Sequence, residues 1–178
     1  MSVRRVSKPQ ASPTIRLADS RDACDIALLS RSEIEYGLPW AWTPETVARA
    51  ISNRDMNVVV ATTLDNTETA AQDMDNQHTL CGFALVYFGR THAHINLLAV
   101  GKPYQRCGLG RKLLDWQIAS ARTAGIRYLT LEVRRTNKGA QGFYSDCGFE
   151  TRDTVSRYYN NKEDALRMIR KLEVQHES

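Results

Sequence analysis

The stretch Leu97 to Leu114, LLAVGKPYQRCGLGRKLL, decides the fold. Its first four residues, Leu97-Leu98-Ala99-Val100, are an unbroken apolar run, the pattern of a buried strand. Gly101-Lys102-Pro103 ends that strand. The loop Gln105 to Arg111, QRCGLGR, then runs into apolar residues at Leu113, Leu114, Ile118 and Ala121, the spacing of a helix that Gly125 would close. Strand, glycine-rich loop and helix start point unpaired backbone N–H groups and a positive dipole end at one spot, which attracts phosphate. Gly108 and Gly110 lack a Cβ and admit close approach, while Arg106 and Arg111 add positive charge. Two common phosphate loops are disfavoured. A P-loop needs Ser or Thr after Gly-Lys, and Gly110 is followed by Arg111-Lys112-Leu113; a dinucleotide loop needs a third Gly where Leu113 stands.

Working outward, Ile126 to Arg134 alternates, with Leu129, Leu131 and Val133 on one face. Strand, helix, strand makes a parallel pair with a right-handed crossover. Upstream, Thr79 to Phe88 and Thr91 to Val100 are strands joined at Gly89-Arg90, and Asn57 to Leu64 is another, so the middle is an antiparallel meander. Asp65 to Gln77 carries Asp65, Glu68, Asp73 and Asp75 without a basic residue and reads as a solvated hairpin loop. Thr14 to Ala18 is a first strand. A helix capped by Asp19 or Ser20 runs through Leu29, a short one spans Ser32 to Gly37, and Pro44 opens a third that ends near Asn53. Downstream come a helix over 137–147 and strands over 149–158 and 165–172. The fold class is α+β: a mixed central sheet, antiparallel meander plus one parallel β-α-β step, flanked by helices. One domain is expected over 14–178, after a disordered basic tail at 1–13.

Composition bounds the function. A chain of 178 residues can bury a real core. A net charge of +4 suits an anionic ligand but is too small to imply nucleic acid, and no apolar run reaches the length of a membrane span. The N-terminus is basic without the apolar segment of a signal peptide. Cys24, Cys81, Cys107 and Cys147 form no CxxC pair, which argues against a metal site and fits reduced thiols in a cytoplasmic protein.

The Arg106-x-Gly108-x-Gly110 loop after a strand ending in Ala99-Val100 resembles the pyrophosphate loop of the GNAT superfamily of acetyl-CoA-dependent N-acyltransferases. Leu131-Glu132-Val133-Arg134, with Asn137, Tyr144 and Gly148-Phe149, resembles the other half of that signature. More narrowly, the Asn five and the Tyr twelve positions after Glu132, and the tail Arg157-Tyr158-Tyr159 with Glu163 to Met168, are similar to the bacterial ribosomal-protein alanine N-acetyltransferase group. Gly101 departs from the acidic residue usual in that group. The order of elements is also that of the GNAT fold.

The resemblance implies acetyl-CoA as co-substrate, bound by Leu98, Ala99 and Val100 along the pantetheine arm, by Arg106, Cys107, Gly108, Leu109, Gly110 and Arg111 at the pyrophosphate, and by Asn137. It implies Glu132 as proton acceptor, directly or through water, and Tyr144 as proton donor to sulfur. A carboxyl with an ordinary pKa near 4.3 would have to be raised toward roughly 6–7 for that work. Other readings stand beside these: Glu132 on a solvated face beside Arg134, Asn137 as an N-cap, Tyr144 packing its ring, and Cys107 as a small spacer. His92, His94 and Asn96 share one strand face and either line the acceptor site or sit on an open sheet face; His94 is a rival base. Glu33 and Glu35, with Tyr36, Trp40 and Trp42, either steer a cationic amine or form a solvated helix with packed tryptophans. The expected function is transfer of acetyl from acetyl-CoA to a primary amine, an α-amine of a peptide or protein, by a monomer or homodimer. The alternatives are a small-molecule amine acetyltransferase, a non-catalytic acyl-CoA-binding module, or a nucleic-acid binder using Arg4 and Arg5.

Overall fold

The computed structural model describes residues 12–64 and 78–173. The basic tail up to residue 11 and the acidic loop over 65–77 lie outside the described residues. Seven strands form one sheet: β1 (Thr14–Leu17), β2 (Met56–Leu64), β3 (His78–Phe88), β4 (His92–Val100), β5 (Tyr128–Arg134), β6 (Glu150–Tyr159) and β7 (Glu163–Lys171), in spatial order β1-β2-β3-β4-β5-β7-β6. β4 and β5 are the parallel pair and the other neighbours are antiparallel, as the meander-plus-crossover reading requires.

Helices α1 (Ala23–Glu33) and α2 (Pro44–Ser52) cover one face over β2, β3 and β4, burying Ile26, Ala27 and Val47 against Phe83, Leu85 and Leu97. Helix α3 (Leu109–Thr123) is the crossover on the opposite face, and α4 (Lys138–Asp146) lies on that face too, where Leu114 and Ile118 meet Leu129, Leu131, Val133 and Tyr144. Fully burying one such aliphatic side chain stabilises by about 1.5–3 kcal/mol. Thr43 caps α2 with Pro44 in its first turn, and Gly125, at φ 72°, follows α3 in the left-handed conformation.

Strand ends shift by one or two residues, and the structure settles the first helical region. Asp19, not Ser20, is the cap, and it caps a 3₁₀ turn over Ser20–Asp22 that feeds α1. The short helix expected over 32–37 is absent: α1 continues to Glu33, and the Ile34 and Glu35 N–H groups both bond the Ser30 carbonyl. The Glu35 carboxylate accepts from the Ala41 and Trp42 N–H groups of the following loop.

Candidate active site

β4 and β5 pair only from His92 to His94 against Tyr128 to Thr130, and then diverge. Among the described residues no strand pairs with the β5-side edge of Leu97 to Val100. A bulge at Asn96 accompanies the divergence: Val86 faces Ile95 while Leu85 faces Leu97. The extra residue swaps the faces of the strand, so Ala93 and Ile95 point toward α3 while Leu97 and Ala99 pack with α1 and α2. The open edge at Leu98, Ala99 and Val100 is where an extended ligand arm can add its own hydrogen bonds.

The loop beyond that edge is an anion cradle. Arg106 and Gly108 are left-handed, at φ 62° and 82°, an arrangement that turns successive N–H groups into one concavity. Gly108 is the N-cap of α3 and no side chain caps the helix, so its first donors stay available. A Cβ on Gly110 would lie 3.5 Å from Phe143 and 3.7 Å from Val100, which places the loop against both α4 and the open edge. Leu109 is buried and anchors the helix start. Cys107 is exposed, its Sγ 2.7 Å from the Tyr104 carbonyl oxygen. Arg111 donates to the Asp146 carbonyl at 2.7 Å, which ties the first turn of α3 to the end of α4. These features fit a diphosphate at the loop and a pantetheine arm along the strand.

Two clefts meet where the strands part. One, of about 120 Å³, is lined by Leu98, Glu132, Asn137, Ala140 and Tyr144 among others. The other, of about 380 Å³, is lined by Glu35, Trp42, His94, Asn96, Glu132 and Tyr158 among others. Glu132 lines both. Its Oε1 accepts from Arg167 Nε at 2.9 Å, and its Oε2 lies 3.1 Å from His94 Nε2 and 3.5 Å from the Tyr158 hydroxyl. Work as a base would call for a raised pKa, whereas in this arrangement His94 first, with Arg167, holds the carboxyl down at about 2 against the opposing effect of burial. A carboxylate depressed in this way stabilises the fold above its ordinary value of 4.5 and loses that contribution as pH falls toward 2.

Tyr144 is 8 % exposed, packs edge-on between Phe143 and Phe149, and its hydroxyl makes no hydrogen bond among the described residues. Burial pushes its pKa well above the ordinary tyrosine value, so it keeps its proton at any working pH. Asn137 caps α4, accepting from the Ala140 N–H at 3.0 Å, and it lines the smaller cleft as well. His92 is exposed and lines neither cleft, whereas His94 reaches Thr130 Oγ1 through Nδ1 at 2.9 Å.

The acceptor-side carboxylates do not stand free. Glu35 is 4 % exposed and accepts from Ser30 Oγ at 3.0 Å, the Ala41 N–H at 2.8 Å and the Trp42 N–H at 3.1 Å. It shapes the loop that walls the larger cleft. Glu35→Ala strands three donors; we expect a loss of about 2–4 kcal/mol and a Tm lower by roughly 5–10 °C in calorimetry. Glu33 accepts from Gln105 at 3.3 Å and lines the smaller cleft. Trp40 is 39 % exposed, while Trp42 packs against the α1–α2 core.

The alternative that paired Glu132 with Arg134 is not what forms, and other contacts were not foreseen in the sequence. Arg134 donates to Glu163 at 2.9 Å and to the Tyr36 carbonyl at 2.9 Å, and stacks on Tyr36 and Tyr159 at 4.6 and 5.1 Å. Asn160 donates to the Gly37 carbonyl at 3.2 Å. Together they tie β5 and the β6–β7 hairpin to the loop after α1. Arg167 was read within the last strand and within the Glu163-to-Met168 tail, with no role in the site. Its place beside Glu132 follows from the β5–β7 register, which local periodicity does not reveal.

Comparison with known proteins agrees with this geometry. The family model described as Acetyltransferase (GNAT) family matches residues 32–149. The N-alpha-acetyltransferase daf-31 of Caenorhabditis elegans is 40% identical over 83 residues, 46% of this chain and 46% of that protein. The [ribosomal protein bS18]-alanine N-acetyltransferase of Escherichia coli K12 is 35% identical over 92 residues, 50% of this chain and 62% of that protein. The chain thus spans about half the length of the curated relatives it matches. Among solved structures, the ribosomal-protein-S18-alanine N-acetyltransferase of Escherichia coli superposes with a TM-score of 0.71 at 24% identity, over 93% of this chain and 96% of that one. The PaiA N-acetyltransferase of Thermoplasma acidophilum in complex with coenzyme A gives 0.73 at 21%, over 91% and 100%. These likenesses extend the shared fold over most of the described chain, and the family match covers the loop, the parting strands and the Glu132-to-Tyr144 segment: the chain belongs to the GNAT acetyltransferase family.

Proposed function

We propose that the protein transfers acetyl from acetyl-CoA to the α-amine of a peptide or protein chain, in one domain over 14–178, by direct attack. Glu132 receives the proton that the nitrogen loses, and Tyr144 donates to the departing sulfur. The observation that carries the reading is that Glu132 lines both clefts. A thioester entering along Leu98 to Val100 and an amine entering past Tyr158 reach the same carboxylate. The loop from Arg106 to Arg111 and Asn137 would hold the cofactor. The likeness to an N-alpha-acetyltransferase and to a ribosomal-protein alanine N-acetyltransferase favours an N-terminal acceptor. All four cysteines are free, which fits a cytosolic location.

Chemistry also favours the α-amine. Its pKa is near 8 and that of lysine about 10.4, a difference of about 3 kcal/mol in deprotonation at neutral pH. The test is competition between peptides with free or blocked N-termini, each carrying lysine, alongside spermidine and an aminoglycoside. Mass spectrometry should place the acetyl group on the free N-terminus. Acetylation of lysine, or of the small amines alone, would refute the acceptor assignment and leave the enzyme class intact. Coenzyme A binding without transfer to any amine would favour a binding module.

A further inference from the structure

Glu132 is enclosed by donors from three other strands. His94 comes from β4, Arg167 from β7 and Tyr158 from β6, and the first two are themselves held in place. Thr130 Oγ1 lies 2.9 Å from His94 Nδ1 and 3.3 Å from the Ala93 carbonyl oxygen, so its hydroxyl can turn to serve either ring state. Arg167 lies between Glu132 and Asp153, whose Oδ1 is 3.7 Å from its Nη1. Strand register builds this row: Arg167 stands opposite Glu132 on one side and Asp153 on the other. A protonated Glu132 would forfeit an acceptor position that these donors require.

Among the described residues the neighbouring carboxylates are engaged elsewhere, apart from Asp153, which shares Arg167 with Glu132. Glu35 is taken up by Ser30 and two backbone N–H groups, Glu163 by Arg134 and Thr136, and Glu33 by Gln105. The remaining ionisable side chains lining the smaller cleft are Arg134, a cation paired with Glu163, and the phenols of Tyr36, Tyr144 and Tyr159. A carboxylate so supported is a poor destination for a proton from an alkylammonium ion.

We propose that His94 and Arg167 are positioning residues that keep Glu132 ionised until attack, so that the acceptor amine enters as its free base and Glu132 takes only the proton released after attack. This rests on the acyl-transfer reading. The ammonium first loses one proton to solvent. The neutral nitrogen then forms the C–N bond, and the carbonyl π pair moves to oxygen. The nitrogen, now cationic and far more acidic than an alkylammonium ion, gives one proton to Glu132. The carbonyl re-forms as the C–S bond breaks, and the sulfur leaves hydrogen-bonded by Tyr144. Glu132 returns its proton, which ends on the thiolate or in solvent. Amine and acetyl-CoA become amide and coenzyme A, and no other reactant is needed. At pH 7 about one α-amine in ten is a free base, against fewer than about one lysine in a thousand.

Two measurements test this. In protein labelled with ¹³C-glutamate, the carboxyl signal that Glu132→Gln removes should remain in its ionised position at about pH 4, just below the ordinary glutamate value. His94→Gln/Arg167→Gln should move its midpoint up by at least about one unit, while Arg167→Lys, which keeps a cation, should move it less than Arg167→Gln. A wild-type midpoint above about 5, or one unmoved in the double variant, would overturn the proposal. In the second, the acid limb of kcat/KM is followed for peptides beginning with alanine or fluorinated alanines, whose amine pKa values differ. The limb should shift with the pKa of the acceptor; one fixed for all acceptors would mark an enzyme base and overturn the free-base entry. The carboxyl titration needs no turnover. Failure to acetylate any amine would therefore defeat the functional reading, and the titration would still decide the role of His94 and Arg167.

Discussion

Tyr144→Phe should lower kcat by about 10²–10³ while leaving stability and acetyl-CoA affinity almost unchanged. The two halves of that expectation have different sources. The ring lies between Phe143 and Phe149, and the hydroxyl makes no hydrogen bond among the described residues, so its removal leaves no protein group unpaired. The range is set by hydrogen bonding more than by full proton transfer. Burial raises the phenol well above the ordinary value, so a tyrosinate left in that site would be costly, whereas a donor held ready for a developing thiolate costs nothing to reorganise. Stopped-flow release of coenzyme A thiol, with denaturation in parallel, checks both halves. Near-wild-type kcat would remove Tyr144 from the mechanism; a large fall in Tm would recast it as a packing residue. Glu132→Gln differs in kind. It should cost about 10²–10⁴ in kcat as a proton acceptor is lost, and it should also disturb stability, since Arg167 and His94 lose their anion.

The contrast between these residues marks what the sequence could and could not reveal. Helix α3, β5 and α4 were legible because Leu113, Leu114, Ile118 and Ala121 keep helical spacing and Leu129, Leu131 and Val133 keep strand spacing. Alternation also put Glu132 on the face opposite Leu131, where it lies. The bulge at Asn96 left no trace, because Leu97-Leu98-Ala99-Val100 is apolar at every position and a one-residue slip changes which face is buried without changing the pattern. The parting of β4 from β5 was likewise hidden, since it depends on where pairing stops. The donors around Glu132 come from residues 35 and 38 positions away in the chain, as His94 and Arg167 show, and only the folded register joins them. That is why burial alone is a poor guide to the sign of the Glu132 shift. Glu35 was misread for a related reason. A glutamate next to Tyr36 and a tryptophan loop resembles a cation site, and its local bonds to Ser30, Ala41 and Trp42 became visible only once the loop closed.

Bulky replacements in the glycine loop should raise the Kd for acetyl-CoA at least about 100-fold, or roughly 2.7 kcal/mol, for two separable reasons. Gly108 sits at φ 82° with nothing within 4 Å of a would-be Cβ, so Gly108→Val has room but the wrong backbone. A β-branched residue is penalised in the left-handed region, and the chain would relax by swinging the first N–H groups of α3 away from their common focus. Gly110 has no positive φ, and its Cβ would make ordinary contacts with Phe143 and Val100 at 3.5 and 3.7 Å. Gly110→Ala should therefore be nearly silent for folding and mild for binding, whereas Gly110→Trp would push into the space between α3, α4 and the open strand edge. Both large variants should keep their circular dichroism spectra, since Leu109, Leu113 and Leu114 still anchor the helix in the core. Isothermal calorimetry with acetyl-CoA separates the outcomes. Strong loss in Gly108→Val and Gly110→Trp, with Gly110→Ala close to wild type, supports a loop that holds the diphosphate through its backbone. Unchanged affinity in both bulky variants would move the cofactor elsewhere, and equal loss in Gly110→Ala would mean that the contact lies in the packing against Phe143.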